Sequence, residues 1–184
     1  MRKFCVPVFV FVSIFVVFSC FSLFAVDKEK DKDMLYVGSA KRVVTPNPLL
    51  PVSGGVGTPE PVEKKIGDLF ARAMVMKKGN VSVAIVSLDF LGWSSVLADK
   101  IRALVPQIPP ENIIVGVTHT HSAPETYGFM DEKGNCSADL KYLDWVCQQA
   151  GEAINEAYKN IKPAYLKIAM GEAKGKIAYN YYAD

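Results

Sequence analysis

Histidine is nearly missing from this sequence: His119 and His121 are the two that occur among 184 residues. Any chemistry built on imidazole is therefore confined to one place. Cysteine is almost as scarce. Of the four cysteines, Cys5 and Cys20 fall in an N-terminal apolar stretch. Only Cys136 and Cys147 remain, and their spacing matches no compact zinc motif. Excess charge of one sign is also missing. The formal net charge is +2, which gives no basic surface for nucleic acid. The Gly/Pro-rich segment Pro51 to Pro61 (PVSGGVGTPEP) lacks the Gly-Lys-Ser/Thr ending of a phosphate-binding P-loop. No Gly-x-Ser-x-Gly elbow surrounds Ser122, which argues against serine-nucleophile α/β-hydrolase chemistry. No internal repeat is visible.

Acidic residues are absent before Asp27. Arg2 and Lys3 lead into an apolar run from Phe4 to Val26, with the small Ala25 near its end. That order reads as a secretion signal over residues 1–26, and the protein is expected to be secreted, periplasmic or at the cell surface. The run is also long enough to span a bilayer, so an uncleaved anchor, with membrane association through this segment, is the alternative. A lipoprotein box at Val17-Phe18-Ser19-Cys20 is disfavoured by the bulky Phe18. Without Arg2 and Lys3 the 21 basic residues fall to 19, matching the 19 acidic ones. Asp27 to Asp33 alternate in sign, and residues 27–34 read as a solvated spacer. In an oxidising compartment Cys136 and Cys147 are either a disulfide or a loop thiol and a helix-core thiol.

Residues 35–184 alternate strand-like and helix-like segments. Leu35 to Thr45 reads as a strand closed by Pro46 and Pro48. Leu69 to Lys77 and Val81 to Phe90 read as a hairpin about Gly79-Asn80. The second strand carries a near-continuous apolar run, as a strand buried on both faces does. A helix capped by Ser94 or Ser95 follows, with Leu97, Ile101, Leu104 and Val105 on one side. Asn112 to Val117 is the next buried strand. Ser137 is placed to cap a longer helix whose stripe is Leu140, Leu143, Cys147, Ala150, Ile154 and Ala157. Ala164 to Met170 reads as another strand. The predicted class is α/β: a mixed, largely parallel sheet with flanking helices and right-handed crossovers, forming an incomplete domain.

Both histidines lie in Thr118-His119-Thr120-His121-Ser122, directly after a buried strand. In extended backbone, residues two apart share a side, so both imidazoles can face one site. Ligands of open α/β sheets bind beyond the C-terminal strand ends. Asp89 ends the preceding buried strand. It is a candidate either to hold a motif histidine by a hydrogen bond behind the site or to cap the next helix. A catalytic zinc needs about three protein ligands and an open position. Two histidines and the acids Asp89, Glu125, Asp131 and Asp139 make that count marginal. Metallo-β-lactamase-like enzymes carry an aspartate where Ala123 stands. TIM-barrel amidohydrolases draw on later histidines that this chain lacks.

The run Asn112 to Tyr127 (NIIVGVTHTHSAPETY) resembles the signature of neutral/alkaline non-lysosomal ceramidases, in which a buried strand leads into Thr-His-Thr-His-Ser. Tyr36 to Pro46, Leu69 to Val75 and Val83 to Gly92 resemble the family's opening strand, its Ala-Arg-Ala strand and its strand ending in aspartate. The resemblance implies hydrolysis of the linear amide of an N-acyl sphingoid base, using one zinc ion. His119 would be a zinc ligand. His121 would be the catalytic residue that contacts the substrate or the developing oxyanion. The family's remaining ligands, a histidine, a glutamate and a tyrosine, lie downstream of Asp184. The chain is therefore expected to be the N-terminal portion of such a catalytic domain, inactive in isolation. Where the family usually has Ser-Gly-Pro-Gly-Gly, this sequence has Ser122-Ala123-Pro124-Glu125-Thr126, so another amide or lipid substrate is compatible. The competing reading is an exported, non-catalytic or vestigial binding module of the same fold.

Overall fold

The computed structural model describes residues 33–54, 59, 61–130, 133–172 and 175. The expected signal or anchor, most of the charged spacer and the C-terminal residues from 176 onward lie outside the described residues.

The first strand, β1, spans Leu35–Val43, and the short β2 spans Val52–Ser53. The hairpin is formed by β3 (Phe70–Lys78) and β4 (Val81–Leu88), in antiparallel register from Ala71↔Leu88 to Lys78↔Val81. Its turn is the expected Gly79-Asn80, where Gly79 has a φ of 56°, a region that costs glycine nothing. Helix α1 (Ser95–Ala103) follows, and Ser94 caps it by accepting from the Leu97 N–H. A short 3₁₀ turn, Pro110–Asn112, leads into β5 (Ile113–Val117). The short β6 is Ala123–Pro124. Helix α2 (Leu140–Lys159) and β7 (Lys162–Ala164) complete the described elements.

The main sheet has the order β5-β4-β3-β1-β7. Only β4–β5 is a parallel pair; β1–β3, β3–β4 and β1–β7 are antiparallel. The sheet is mixed as expected, but it is mostly antiparallel. The helical crossover from β4 through α1 does return a parallel neighbour. Helix α2 does not: it packs across β1 and β3 and delivers β7 to the far edge beside β1. At about 1.5 Å per residue, a 20-residue helix is long enough to cross the sheet.

The helices cover one face. Along β4, Ser82, Ala84, Val86 and Leu88 are buried while the residues between them are partly open. The apolar run thus has one covered face, not two. On the other face Met74 and Ile114 are exposed. Beneath the helices Phe90, Leu143, Val146 and Ile154 fill the core. Gly38 lets α2 approach β1: a Cβ there would lie 2.0 Å from the Ala157 carbonyl oxygen.

Three local expectations change. Asp139, not Ser137, caps α2, accepting from the Tyr142 N–H at 3.0 Å. Leu140 is exposed, because the stripe begins at Tyr142 and Leu143. The strand expected over Ala164 to Met170 does not form: the three-residue β7 ends at Ala164, and Tyr165, Leu166, Ile168 and Met170 are exposed beyond it. Cys136 and Cys147 are both free thiols. Cys147 lies in the core, donates to the Leu97 carbonyl at 3.6 Å, and burial pushes its thiol up to about 11.

Candidate active site

The end of β5 lies beside the end of β4: Leu88 pairs with Val117, and the Thr118 N–H bonds the Leu88 carbonyl. The chain then turns sharply. His119 has a φ of 60°, in the left-handed region that a β-carbon disfavours. The turn brings the His119 Nδ1 to 2.7 Å from the carbonyl oxygen of Leu91, just past β4. Two residues on, the His121 Nδ1 lies 2.7 Å from the carbonyl oxygen of Gly54, in the Gly/Pro-rich segment. The two rings face each other edge to face, with centroids 5.2 Å apart and planes at 84°.

A carbonyl oxygen only accepts, so each neutral ring carries its proton on Nδ1. Each Nε2 then holds a lone pair. This is the support that metal-ligating histidines almost always have, with the second ring nitrogen tied to an acceptor. Both histidines are exposed, so their free nitrogens are open to a ligand. With Nδ1 committed, the His121 Nε2 accepts when the ring is neutral and donates only when the ring is protonated.

The Gly/Pro-rich segment is joined to the motif at several points. Val52 pairs with Pro124 and Ser53 with Ala123. The Ser53 hydroxyl donates to the Glu125 carboxylate at 2.6 Å, and Glu125 also accepts from the Thr126 and Tyr127 N–H groups at 2.8 and 2.6 Å. Gly54 has a φ of 129°, and a Cβ there would stand 2.6 Å from the His121 Cβ. Next to Ser122 and Pro124 opens a cavity of about 440 Å³, whose walls include Leu50, Val52, Val62 and Leu69.

No protein-family model matches the sequence, and no curated protein sequence does either. Among the solved structures that resemble the chain are two ceramidases. One is a ceramidase complexed with C2: 22% identical, covering 71% of this chain and 22% of its own, with a TM-score of 0.54. The other is the neutral ceramidase of Pseudomonas aeruginosa: 19% identical, covering 72% of this chain and 23% of its own, with a TM-score of 0.55. The chain shares its fold with neutral ceramidases. It spans less than a quarter of their length.

Within that fold the Asp89 carboxylate makes no hydrogen bond to either histidine. It accepts from Arg72 Nη1 at 2.7 and 2.8 Å and from the Phe70 N–H at 2.9 Å. It neither supports an imidazole nor caps α1, which Ser94 does. The end of β4 supports the site through the Leu91 carbonyl instead. Among the described residues no group of three or more His, Cys, Asp or Glu side chains is placed to hold one ion. Sequence reasoning missed Gly54, Ser53 and Leu91, and it noted Glu125 only as a loose acid. The one available signal was the pairing of a long Gly/Pro-rich loop with a motif loop inside one compact domain.

Proposed function

We propose that this chain carries the histidine motif of a zinc-dependent hydrolase acting on the linear amide of an N-acyl sphingoid base or a related lipid. The observation that carries the reading is the paired support of His119 and His121: both Nδ1 atoms rest on backbone carbonyls. In this reading His119 is a metal ligand and His121 meets the substrate. Their donor chemistry suits zinc, and the remaining ligands come from outside the described residues. Zinc, when bound, polarises an amide carbonyl and lowers the pKa of water to about 7. The chain's own part is to hold two imidazoles in one tautomer at a strand end. The cavity beside Ser122 offers apolar wall at Leu50, Val52, Val62 and Leu69 for a hydrocarbon chain and polar groups at Lys64, Lys65 and Asp68. The reading of an exported protein rests on the N-terminal sequence; among the described residues no helix is long and apolar enough to cross a membrane.

The test is a chimera in which this chain replaces the matching segment of the Pseudomonas aeruginosa neutral ceramidase. It is expected to release fatty acid from ceramide in a zinc-dependent way and to lose that activity with His119→Ala. A folded, zinc-loaded chimera with no turnover would overturn the proposal. A second reading, a binding module without turnover, has the short count of donors among the described residues in its favour.

A further inference from the structure

A carboxylate removed from water must be met by donors. Glu125 is 5% exposed, and uncharged groups meet it: Ser53 Oγ, Thr126 N and Tyr127 N. The last two bonds go to Oε1 and close a turn within the motif loop. The first goes to Oε2 and reaches across 72 positions to the Gly/Pro-rich segment.

That long-range bond has work that the backbone cannot do. The ladder between β2 and β6 is two residues long, and one of its members, Pro124, has no N–H to donate. So short a ladder is marginal by itself. One residue after Ser53, Gly54 presents its carbonyl to the His121 Nδ1. A shift of β2 along β6 would carry this carbonyl away. The orientation of His121 is thus set by a segment far away in sequence, and Ser53–Glu125 is the side-chain bond that reinforces its short ladder to β6.

We infer that Glu125 is a positioning residue for His121, acting through Ser53 and the Gly54 carbonyl to keep the proton on Nδ1 and the lone pair on Nε2. The chemical consequence of this arrangement rests on the function proposed above; the arrangement itself does not.

The test is ¹⁵N NMR on the metal-free 184-residue chain with labelled histidine, at a pH well above the ordinary histidine value of about 6.5. With two histidines in the sequence, His119→Ala assigns both. In the native chain His121 is expected to carry its proton on Nδ1. Glu125→Ala removes the acceptor that Ser53 shares with the Thr126 and Tyr127 N–H groups. Ser53→Ala removes the hydroxyl. In both variants the His121 nitrogen pair is expected to move toward the averaged values of interchanging tautomers, while the His119 pair stays in place. Circular dichroism checks that each variant is folded. An unchanged His121 pair in the folded variants would overturn the inference, as would a native chain with its proton on Nε2. Should Glu125→Ala fail to fold, Ser53→Ala, which deletes a single oxygen, decides. Because the readout is a tautomer in metal-free protein, failure of the hydrolase reading leaves it intact.

Discussion

Left-handed backbone at His119, with φ of 60°, costs a non-glycine residue about 1–2 kcal/mol. Such strain persists where the surroundings over-determine it, often at functional sites. Here the Leu91 carbonyl holds the ring. The pairing of His121 with Gly54 is equally exacting. Gly54→Ala is expected to destabilise the chain by about 1–3 kcal/mol, since its Cβ would collide with the His121 side chain. Urea unfolding of the variant measures the loss. The histidines were legible because their residue type and spacing announce them. Their partners were not, since a backbone carbonyl carries no residue type. Asp89 shows the converse: a strand-end acid draws attention, but Arg72 lies opposite Ser87 on the neighbouring strand and its guanidinium donates to the Asp89 carboxylate. Cys147 gives a pH prediction. Burial raises its thiol from 9.0 to about 11, so across that interval the folded chain keeps a proton that the unfolded chain releases. Stability therefore falls as pH rises from about 9 to about 11. Cys147→Ser or Cys147→Ala should lessen that slope in urea titrations at a series of pH values.

The helices and the hairpin follow from patterns that act locally. Ser94 caps α1, and Gly79-Asn80 turns the hairpin, both where the sequence placed them. The cap of α2 moved by two residues, because Asp139 as well as Ser137 has the chemistry to accept from an N–H two or three residues ahead. Asp139→Ala is expected to cost about 1 kcal/mol, read as a lower thermal midpoint. Strand order was less legible than strand position. A strand-helix-strand pattern predicts a parallel neighbour, which α1 provides. Where a helix comes to rest, however, depends on the surface open to it. Small residues on β1 and β3 gave α2 a bed: Gly38, Ala71 and Ala73. Gly38→Ala is expected to destabilise by at least about 1–3 kcal/mol, because the atom that its Cβ meets is backbone and cannot rotate aside.

At the scale of the molecule, a sheet covered on one face presents Met74 and Ile114 on the other. The ceramidase structures that share this fold are more than four times as long as the stretch aligned with them. The zinc site proposed above would draw its remaining ligands from outside the described residues. The central claim is that His119 and His121 are part of a metal site and cannot complete one alone. The most direct measurement is a zinc titration of the purified 184-residue chain beside its His119→Ala variant, followed by calorimetry. The account predicts weak binding that the substitution abolishes. Tight stoichiometric binding, or binding unchanged by His119→Ala, would contradict it.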